Sequence, residues 1–274
     1  MSATRLPLLV TPAQLAARLP DAPLRIVDLR PIDAFAAGHI DGAVRTEAAL
    51  LNRRQPPVAG LLPDFATARQ LFASLDLRSG QQVVAVDAGG TTEAARLAWV
   101  LEAYSVKDVA WLDGGMAAWQ ADGLPMVTGD SDGPAAGDGA AMAPALLGEN
   151  LIDCDTLLTL LDDPGLRILD VRGAAEFDGT DVRSAMGGHV PGAKHYEWTR
   201  QFDLHGRLRD TEALRGDLAA LDIDPSHRVV VYCQSHQRSS VTWRVLTALG
   251  FDRVQGLDGA WSAWGNRPDL PKGL

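Results

Sequence analysis

Short apolar runs alternate with longer amphipathic stretches along the whole chain. The runs at residues 25–29, 83–86, 167–171 and 229–232 are rich in Val, Ile and Leu and are bounded by turn residues. Runs of this length are typical of parallel strands buried on both faces, whereas residues 92–103 and 239–249 have helical spacing. The alternation predicts an α/β architecture with helices on both faces of a mostly parallel sheet.

This pattern occurs twice. Four segments of the first half recur in the same order in the second half, and the matched residues Phe35 and Phe177 lie 142 positions apart. A repeat of this period has the size of a domain, so the sequence predicts two α/β domains. The matched pairs are IVDLRPIDAF and ILDVRGAAEF, GHIDGAV and GHVPGAK, VVAVDAGGTTEA and VVVYCQSHQRSS, and WLDGGMAAW and GLDGAWSAW.

The region between the two halves is rich in Gly, Ala, Asp and Pro and has no apolar period. Such a composition favours a flexible linker. We therefore expect a first domain at residues 1–126, a linker at 127–150 and a second domain at 151–274. The length of 274 residues agrees with two domains of roughly 100 to 200 residues each, although length alone would also allow a single barrel.

Composition and charge narrow the set of partners. A net charge of −10 argues against nucleic acid and anionic membranes, because binding to a polyanion depends on clustered Lys and Arg. No stretch resembles a transmembrane span or a cleaved signal peptide, so we expect a cytoplasmic protein. Its two cysteines, Cys154 and Cys233, are too few for a disulfide scaffold or a zinc site and are expected to be free thiols.

Cys233 stands at the point in the second half where chemistry is expected. It follows the predicted strand at 229–232 and precedes a polar loop, after which Ser239 is in a position to cap a helix. Open α/β sheets bind ligands beyond the carboxyl ends of their strands, and a loop that enters a helix directs backbone N–H groups at an anion. These groups, together with Arg238, favour the thiolate form of Cys233.

The strand, cysteine, polar loop, Arg-Ser pair and helix, together with the D-x-R, GH-[IV]-x-GA and LDG-x-x-x-AW motifs, resemble the rhodanese family over nearly the whole chain. The resemblance implies that Cys233 takes a sulfane sulfur from a small-molecule donor as a persulfide. It passes this sulfur to an acceptor such as cyanide, a small thiol or a protein thiol. By position, the residues implied to bind the donor are Gln234, Ser235, His236, Gln237, Arg238 and Ser239. Asp170 and Arg172 are implied to give structural support as an ion pair.

The first half departs from this pattern at the decisive position. Asp87 stands where the second half has Cys233, and its loop contains no arginine. A carboxylate cannot hold a transferable sulfur, so the first domain is expected to be catalytically inactive.

Two departures in the second half leave the donor open between thiosulfate and 3-mercaptopyruvate. His236 occupies a loop position that is often glycine in the family, and we expect it to need a left-handed backbone. Glu176 stands where donor-specialised two-domain members usually have arginine.

Other functions fit the sequence less well. Cysteine-dependent phosphatases and arsenate reductases resemble C-x5-R, whereas Cys233 and Arg238 form C-x4-R. A redox-sensing or protein-binding module without turnover is the non-enzymatic alternative. No pattern places a histidine as the base of a hydrolase triad, and no dinucleotide or phosphate motif is present, so we expect no organic cofactor and no metal.

The remaining residues of interest are expected to be structural. Cys154 lies among apolar neighbours and is given no role. His39 and His189 occupy matching turns in both halves, including the half that lacks the cysteine, which favours a role in the turn. Trp119, Trp261 and Trp264 are expected in the core.

Overall fold

The structure is a computed structural model that describes residues 5–19, 23–129 and 141–274. The chain divides into two compact units. The first contains the described residues up to Leu51, Pro63–Leu147 and the short segment Leu204–Leu208; the second contains Asn52–Leu62, Gly148–Asp203 and Arg209–Leu274.

The strands are short, as expected for buried parallel sheets. In chain order, those of the described residues are β1 (Leu9–Val10), β2 (Leu24–Asp28), β3 (Val44–Arg45), β4 (Arg53–Gln55), β5 (Val58–Leu61), β6 (Gln82–Val86), β7 (Ala110–Leu112), β8 (Leu151–Ile152), β9 (Leu166–Asp170), β10 (Lys194–His195), β11 (Arg228–Tyr232) and β12 (Val254–Leu257).

Helices follow most of the strands. They are α1 (Pro12–Ala16), α2 (Ile32–Ala37), α3 (Phe65–Ser74), α4 (Glu93–Ala103), α5 (Gly115–Ala121), α6 (Cys154–Leu160), α7 (Ala174–Phe177), α8 (Thr211–Ala219), α9 (Arg238–Ala248) and α10 (Ala260–Trp264), with 3-10 turns at Ala48–Leu51 and Trp198–Gln201.

Each unit contains one five-stranded parallel sheet, and the two sheets have the same strand order. The first is β1-β7-β6-β2-β3, and the second, read in the same direction, is β8-β12-β11-β9-β10. All neighbours in both sheets are parallel. The prediction of two α/β domains is confirmed, and the central strands β6 and β11 start one residue before the predicted runs.

A buried ion pair closes the end of β2 and of β9. The Arg30 guanidinium bonds the Asp28 carboxylate at 2.6 Å, and Arg172 bonds Asp170 at the same distance. Each arginine also donates to a backbone carbonyl oxygen of the following Gly-His turn, at 2.7 Å in both units. The contacts are the same in the unit without the cysteine, so their geometry does not depend on it.

The turn histidines and the tryptophans agree with their structural interpretation. His39 stacks on Phe35 with 3.8 Å between ring centres, and His189 stacks on Phe177 in the same way. Trp119, Trp261 and Trp264 are almost completely buried in the cores of their units.

Each unit contains one short segment from the other half of the sequence. The hairpin of β4 and β5 comes from the first half of the sequence but belongs to the second unit, where the Leu62 N–H donates to the Asp258 carboxylate at 2.7 Å. In the first unit, the Leu208 N–H donates to the Asp113 carboxylate at 2.9 Å. Asp113 and Asp258 are the matched aspartates of the repeated LDG motif. The contiguous division that we predicted contains no such exchange.

The predicted linker at 127–150 is only partly described, because residues 130–140 lie outside the described residues. The boundary there stays a prediction. No helix in the described ranges has the length and apolar character needed to cross a bilayer.

Candidate active site

Cys233 lies directly after the central strand β11, and its side chain is 1% exposed. The first turn of α10 holds the loop that begins with it. The Trp261 N–H donates to the carbonyl oxygen of Cys233 and the Ser262 N–H donates to that of Gln234, both at 2.9 Å. The cysteine is therefore fixed at the carboxyl edge of the sheet, where parallel sheets bind their ligands.

Ser239 contacts the sulfur, and His236 contacts Ser239. Ser239 donates a hydrogen bond to Cys233 Sγ at 3.4 Å, and its oxygen lies 2.7 Å from Nδ1 of His236. A hydroxyl group has one hydrogen to donate, so when Ser239 donates to the sulfur, its oxygen accepts a hydrogen bond from Nδ1 of His236 in the tautomer that carries hydrogen there. The chain of bonds from His236 through Ser239 to Cys233 stabilises negative charge on the sulfur.

Our expectation that Ser239 caps the helix is wrong. Helix α9 begins at Arg238, and Gln237 is the N-cap residue without a side-chain cap bond. Ser239 lies within the first turn, and its hydroxyl contacts the cysteine and the histidine in place of a backbone N–H group.

His236 has the expected left-handed backbone, with φ of +54°, and its side chain is fully buried. This region costs a residue with a side chain roughly 1–2 kcal/mol relative to the right-handed conformation. The loop therefore needs contacts that hold it in place.

Arg238 and Glu176 form a bidentate ion pair beside the cysteine. The guanidinium nitrogens lie 2.6 and 2.9 Å from the two carboxylate oxygens, and the glutamate side chain is 5% exposed. Burial acts to lower the pKa of Arg238, but its bonds to Glu176 and the neighbouring Cys233 sulfur raise it above its ordinary value. Burial acts to raise the pKa of Glu176, and the bonds from Arg238 bring it below its ordinary value. The cation expected to bind the donor thus keeps its charge but is paired with a carboxylate.

Three loop residues make other contacts. The Gln234 side-chain amide donates to the carbonyl oxygen of Arg183 and to the Ser184 hydroxyl, both at 3.2 Å. The Gln237 side-chain amide donates to the side-chain oxygen of Asn52. The backbone of Ser235 lies against Gly60. Of the six residues expected to bind the donor, Ser239 and Arg238 interact with the sulfur and His236 contacts Ser239, whereas the other three contact neighbouring segments.

Arg172 contacts the Cys233 loop indirectly, through Trp261. Its guanidinium lies over the Trp261 ring, 4.5 Å from the ring centre, in addition to its pair with Asp170. Trp261 in turn holds the Cys233 carbonyl. The pair therefore reaches the cysteine through one intermediate residue.

The first unit contains the same loop with a different side chain. The N–H groups of Met116 and Ala117 donate to the carbonyl oxygens of Asp87 and Ala88 at 2.9 and 3.0 Å. The Asp87 carboxylate accepts hydrogen bonds from two backbone N–H groups, that of Gly89 in its own loop at 3.0 Å and that of Ala94 in the first turn of α4 at 3.2 Å. Burial raises the pKa of Asp87 to about 6, although these bonds and one from Thr91 act to lower it. At the position that corresponds to Cys233, the first unit thus has a carboxylate that accepts backbone hydrogen bonds.

Sequence reasoning missed the residues that lie on the far side of the loop. Asn52 and Gly60 lie in no motif, and Ser262 occupies a variable position of the LDG-x-x-x-AW motif. Glu176 was noticed as a departure from a family pattern, but nothing local indicated its pairing with Arg238. In the described ranges, no group of three or more His, Cys, Asp or Glu side chains is arranged to hold a metal ion.

Comparison with known proteins places these features in a family. The model of the rhodanese-like domain matches residues 11–122 and 153–267. The thiosulfate sulfurtransferase of Azotobacter vinelandii is 37% identical over 266 residues, with 97% of each chain covered. The 3-mercaptopyruvate sulfurtransferase of Escherichia coli K12 is 28% identical over 270 residues, with 94% of each chain covered. Among solved structures, the E. coli 3-mercaptopyruvate sulfotransferase SseA superposes with a TM-score of 0.78 at 25% identity, covering 93% of this chain and 99% of its own.

Proposed function

Since the chain belongs to the rhodanese family and is a sulfurtransferase of it, we propose that its turnover runs through a persulfide on Cys233. One observation carries this proposal: the Cys233 sulfur lies at the carboxyl end of the central strand and accepts a hydrogen bond from Ser239, with Arg238 beside it. Nucleophilic catalysis of this kind requires a thiolate held in such surroundings.

In the first step, the Cys233 thiolate attacks the outer sulfur of thiosulfate. A bond forms between the two sulfurs while the S–S bond of thiosulfate breaks, and sulfite leaves with the electron pair. With 3-mercaptopyruvate, the C–S bond breaks instead, and its electron pair stays on the carbon. The proton of the donor thiol is transferred to that carbon, and pyruvate leaves. In both cases the enzyme holds Cys–S–S⁻.

In the second step, cyanide or a thiolate attacks the outer sulfur of the persulfide. The Cys–S–S bond breaks, the electron pair returns to Cys233, and thiocyanate or a new persulfide leaves. No electron is gained or lost overall, so the cycle needs no redox cofactor. A protein thiol is an acceptor of the same chemistry.

The loop stabilises the sulfur anion in both steps. The Ser239 hydroxyl, supported by His236, and the Arg238 guanidinium are held in place before the reaction, and preorganised donors of this kind stabilise charge without reorganisation. Between the two donors, the 37% identity to thiosulfate sulfurtransferases favours thiosulfate.

The test is intact-mass spectrometry of the protein after incubation with thiosulfate or 3-mercaptopyruvate, and again after cyanide. We expect a gain of about 32 Da on Cys233 that cyanide removes as thiocyanate. Cys233→Ser should lose the adduct and lower turnover by about a thousandfold or more. Cys154→Ser is the matched control and should keep both, because Cys154 lies in α6 and burial raises its pKa to about 12. Turnover that persists in Cys233→Ser would overturn the proposal.

A further inference from the structure

The hairpin of β4 and β5 is attached to the helix that holds the catalytic loop. The Ala59 N–H donates to the Ser262 hydroxyl at 2.9 Å, and the Leu62 N–H donates to the Asp258 carboxylate at 2.7 Å. The backbone N–H of the same Ser262 donates to the carbonyl oxygen of Gln234. Ser262 thus binds the hairpin with its side chain and the loop with its backbone.

Gly60 brings the hairpin into direct contact with the loop. It has φ of +73°, and a Cβ atom there would overlap the carbonyl oxygen of Ser235 and lie 2.5 Å from its carbonyl carbon and 2.8 Å from its Cα. The atoms it would meet are backbone, so no change of rotamer can relieve the overlap. Only glycine allows this approach.

A second contact lies on the other side of His236. The Asn52 side-chain oxygen, at the start of the hairpin, accepts a hydrogen bond from the Gln237 side-chain amide. The hairpin therefore touches Ser235 and Gln237, the two residues that flank the left-handed His236. A backbone conformation of this kind persists only where its surroundings hold it.

We propose that residues 52–62 hold the catalytic loop in the conformation that directs His236 to Ser239 and, through it, to the Cys233 sulfur. Gly60 and Asn52 are positioning residues for sulfur transfer and do not touch the donor. The inference rests on the proposed function, because the property that they position is the reactivity of Cys233.

The first unit has a similar arrangement on a loop that needs less support. There Gly206 lies next to Gly90, the residue that corresponds to His236 and also has a left-handed backbone, with φ of +65°. Glycine adopts this conformation without a steric penalty. A histidine at the same position makes the hairpin contact necessary in the second unit.

The experiment compares Gly60→Ala with Gly192→Ala by rapid-quench mass spectrometry of persulfide formation from thiosulfate. Gly192 also has a left-handed backbone, with φ of +79°, and no atom lies within 4 Å of the Cβ that alanine would add. Gly60→Ala should lower the maximal rate about tenfold to a hundredfold, as a misplaced reacting group does. The thiosulfate concentration at half-maximal rate should change less than about twofold, since Glu176 and not the hairpin holds Arg238. Gly192→Ala should keep the parental rate.

Two further variants separate positioning from general loss of structure. Asn52→Ala introduces no overlap, and we expect it to lower the maximal rate about threefold to tenfold, so it tests the proposal even if Gly60→Ala does not fold. In the His236→Gly background, the effect of Asn52→Ala should largely vanish, because the loop then needs no help to adopt its conformation.

The outcomes distinguish this inference from the proposed function. If Cys233 of the parent protein forms no persulfide, the proposed function fails. If the parent protein forms it and Gly60→Ala and Asn52→Ala form it at the parental rate, only the positioning role is wrong. An equal loss in Gly192→Ala, or a full effect of Asn52→Ala in the His236→Gly background, would also contradict it.

Discussion

The loops at Asp87 and Cys233 are held by the same backbone hydrogen bonds but have different side chains at their first position. Each follows the central strand of its sheet, and each is held by two N–H groups from the helix after the LDG motif, at 2.9 to 3.0 Å in both units. Three positions after Asp87 and Cys233, both loops turn left-handed, at Gly90 and at His236. The backbone bonds that hold the loop are therefore a property of the fold, since they are present in the unit that has no cysteine at this position.

The two loops differ in the side chains that their backbone surrounds. Asp87 places its own carboxylate among the N–H groups of its loop, whereas Cys233 offers a thiol that accepts a bond from Ser239. Ala34 stands at the position that matches Glu176, so the ion pair with Arg238 has no counterpart in the first unit. Recognising the loop in a sequence thus identifies a place for an anion, and only its residues identify the chemistry.

The largest effect should come from the feature that the two units share. Arg30→Met and Arg172→Met each leave a buried aspartate without its partner, which typically costs about 3–5 kcal/mol in the free energy of unfolding. We expect similar losses in urea denaturation, each confined to the unit that carries the change, because the two pairs have the same geometry. Arg267→Met, which removes two exposed ion pairs, with Asp155 and Asp269, is the control and should change stability little. A variant of Arg172 that unfolds like the parent protein yet has no turnover would show that the comparison is wrong.

A smaller effect should come from the carboxylate that fills the first loop. The pKa of Asp87 is about 6 in the folded state and roughly 4 in an unfolded chain, so ionisation disfavours the fold as pH rises. The contribution to stability is complete below about pH 4 and is lost as pH rises through 6, amounting to about 3 kcal/mol for two pKa units. Asp87→Asn cannot ionise and should lose this dependence.

The measurement is the free energy of unfolding of Asp87→Asn and of the parent protein between pH 4 and pH 8. The difference between them should shift in favour of the variant as pH rises. A difference that does not change with pH would mean that the Asp87 carboxyl ionises equally well in the folded and unfolded chains.

The smallest effect concerns the charge of the second loop. Glu176→Gln keeps the size of the side chain but leaves Arg238 without a carboxylate, so the potential around Cys233 becomes more positive. We expect the KM for thiosulfate to fall about threefold to tenfold, because an anionic donor gains a cation. Asp181→Asn is a matched control, since Asp181 pairs with Arg183 and not with Arg238. An unchanged KM would show that Glu176 does not affect the binding of thiosulfate.

Much of the fold was readable from local patterns. The apolar runs of four or five residues located the central strands to within one residue at their starts, and the four repeated motifs predicted two similar sheets. The position of Cys233 after β11 and the left-handed turn at His236 followed from its neighbours in sequence. Short-range sterics and hydrophobic periodicity determine these features, and both are written in consecutive residues.

Only the tertiary structure shows which distant segments contact the loop that begins with Cys233. Glu176 meets Arg238 across 62 positions, and Gln237 meets Asn52 across 185. The hairpin that the first half of the sequence contributes to the second unit likewise has no local signal. Close approach of backbones and pairing of single side chains depend on how elements pack, and packing leaves no period in the sequence from which it can be inferred. The sequence by itself determined the two sheets and the place of Cys233 after the central strand, and the packing of separate segments determined what surrounds that cysteine.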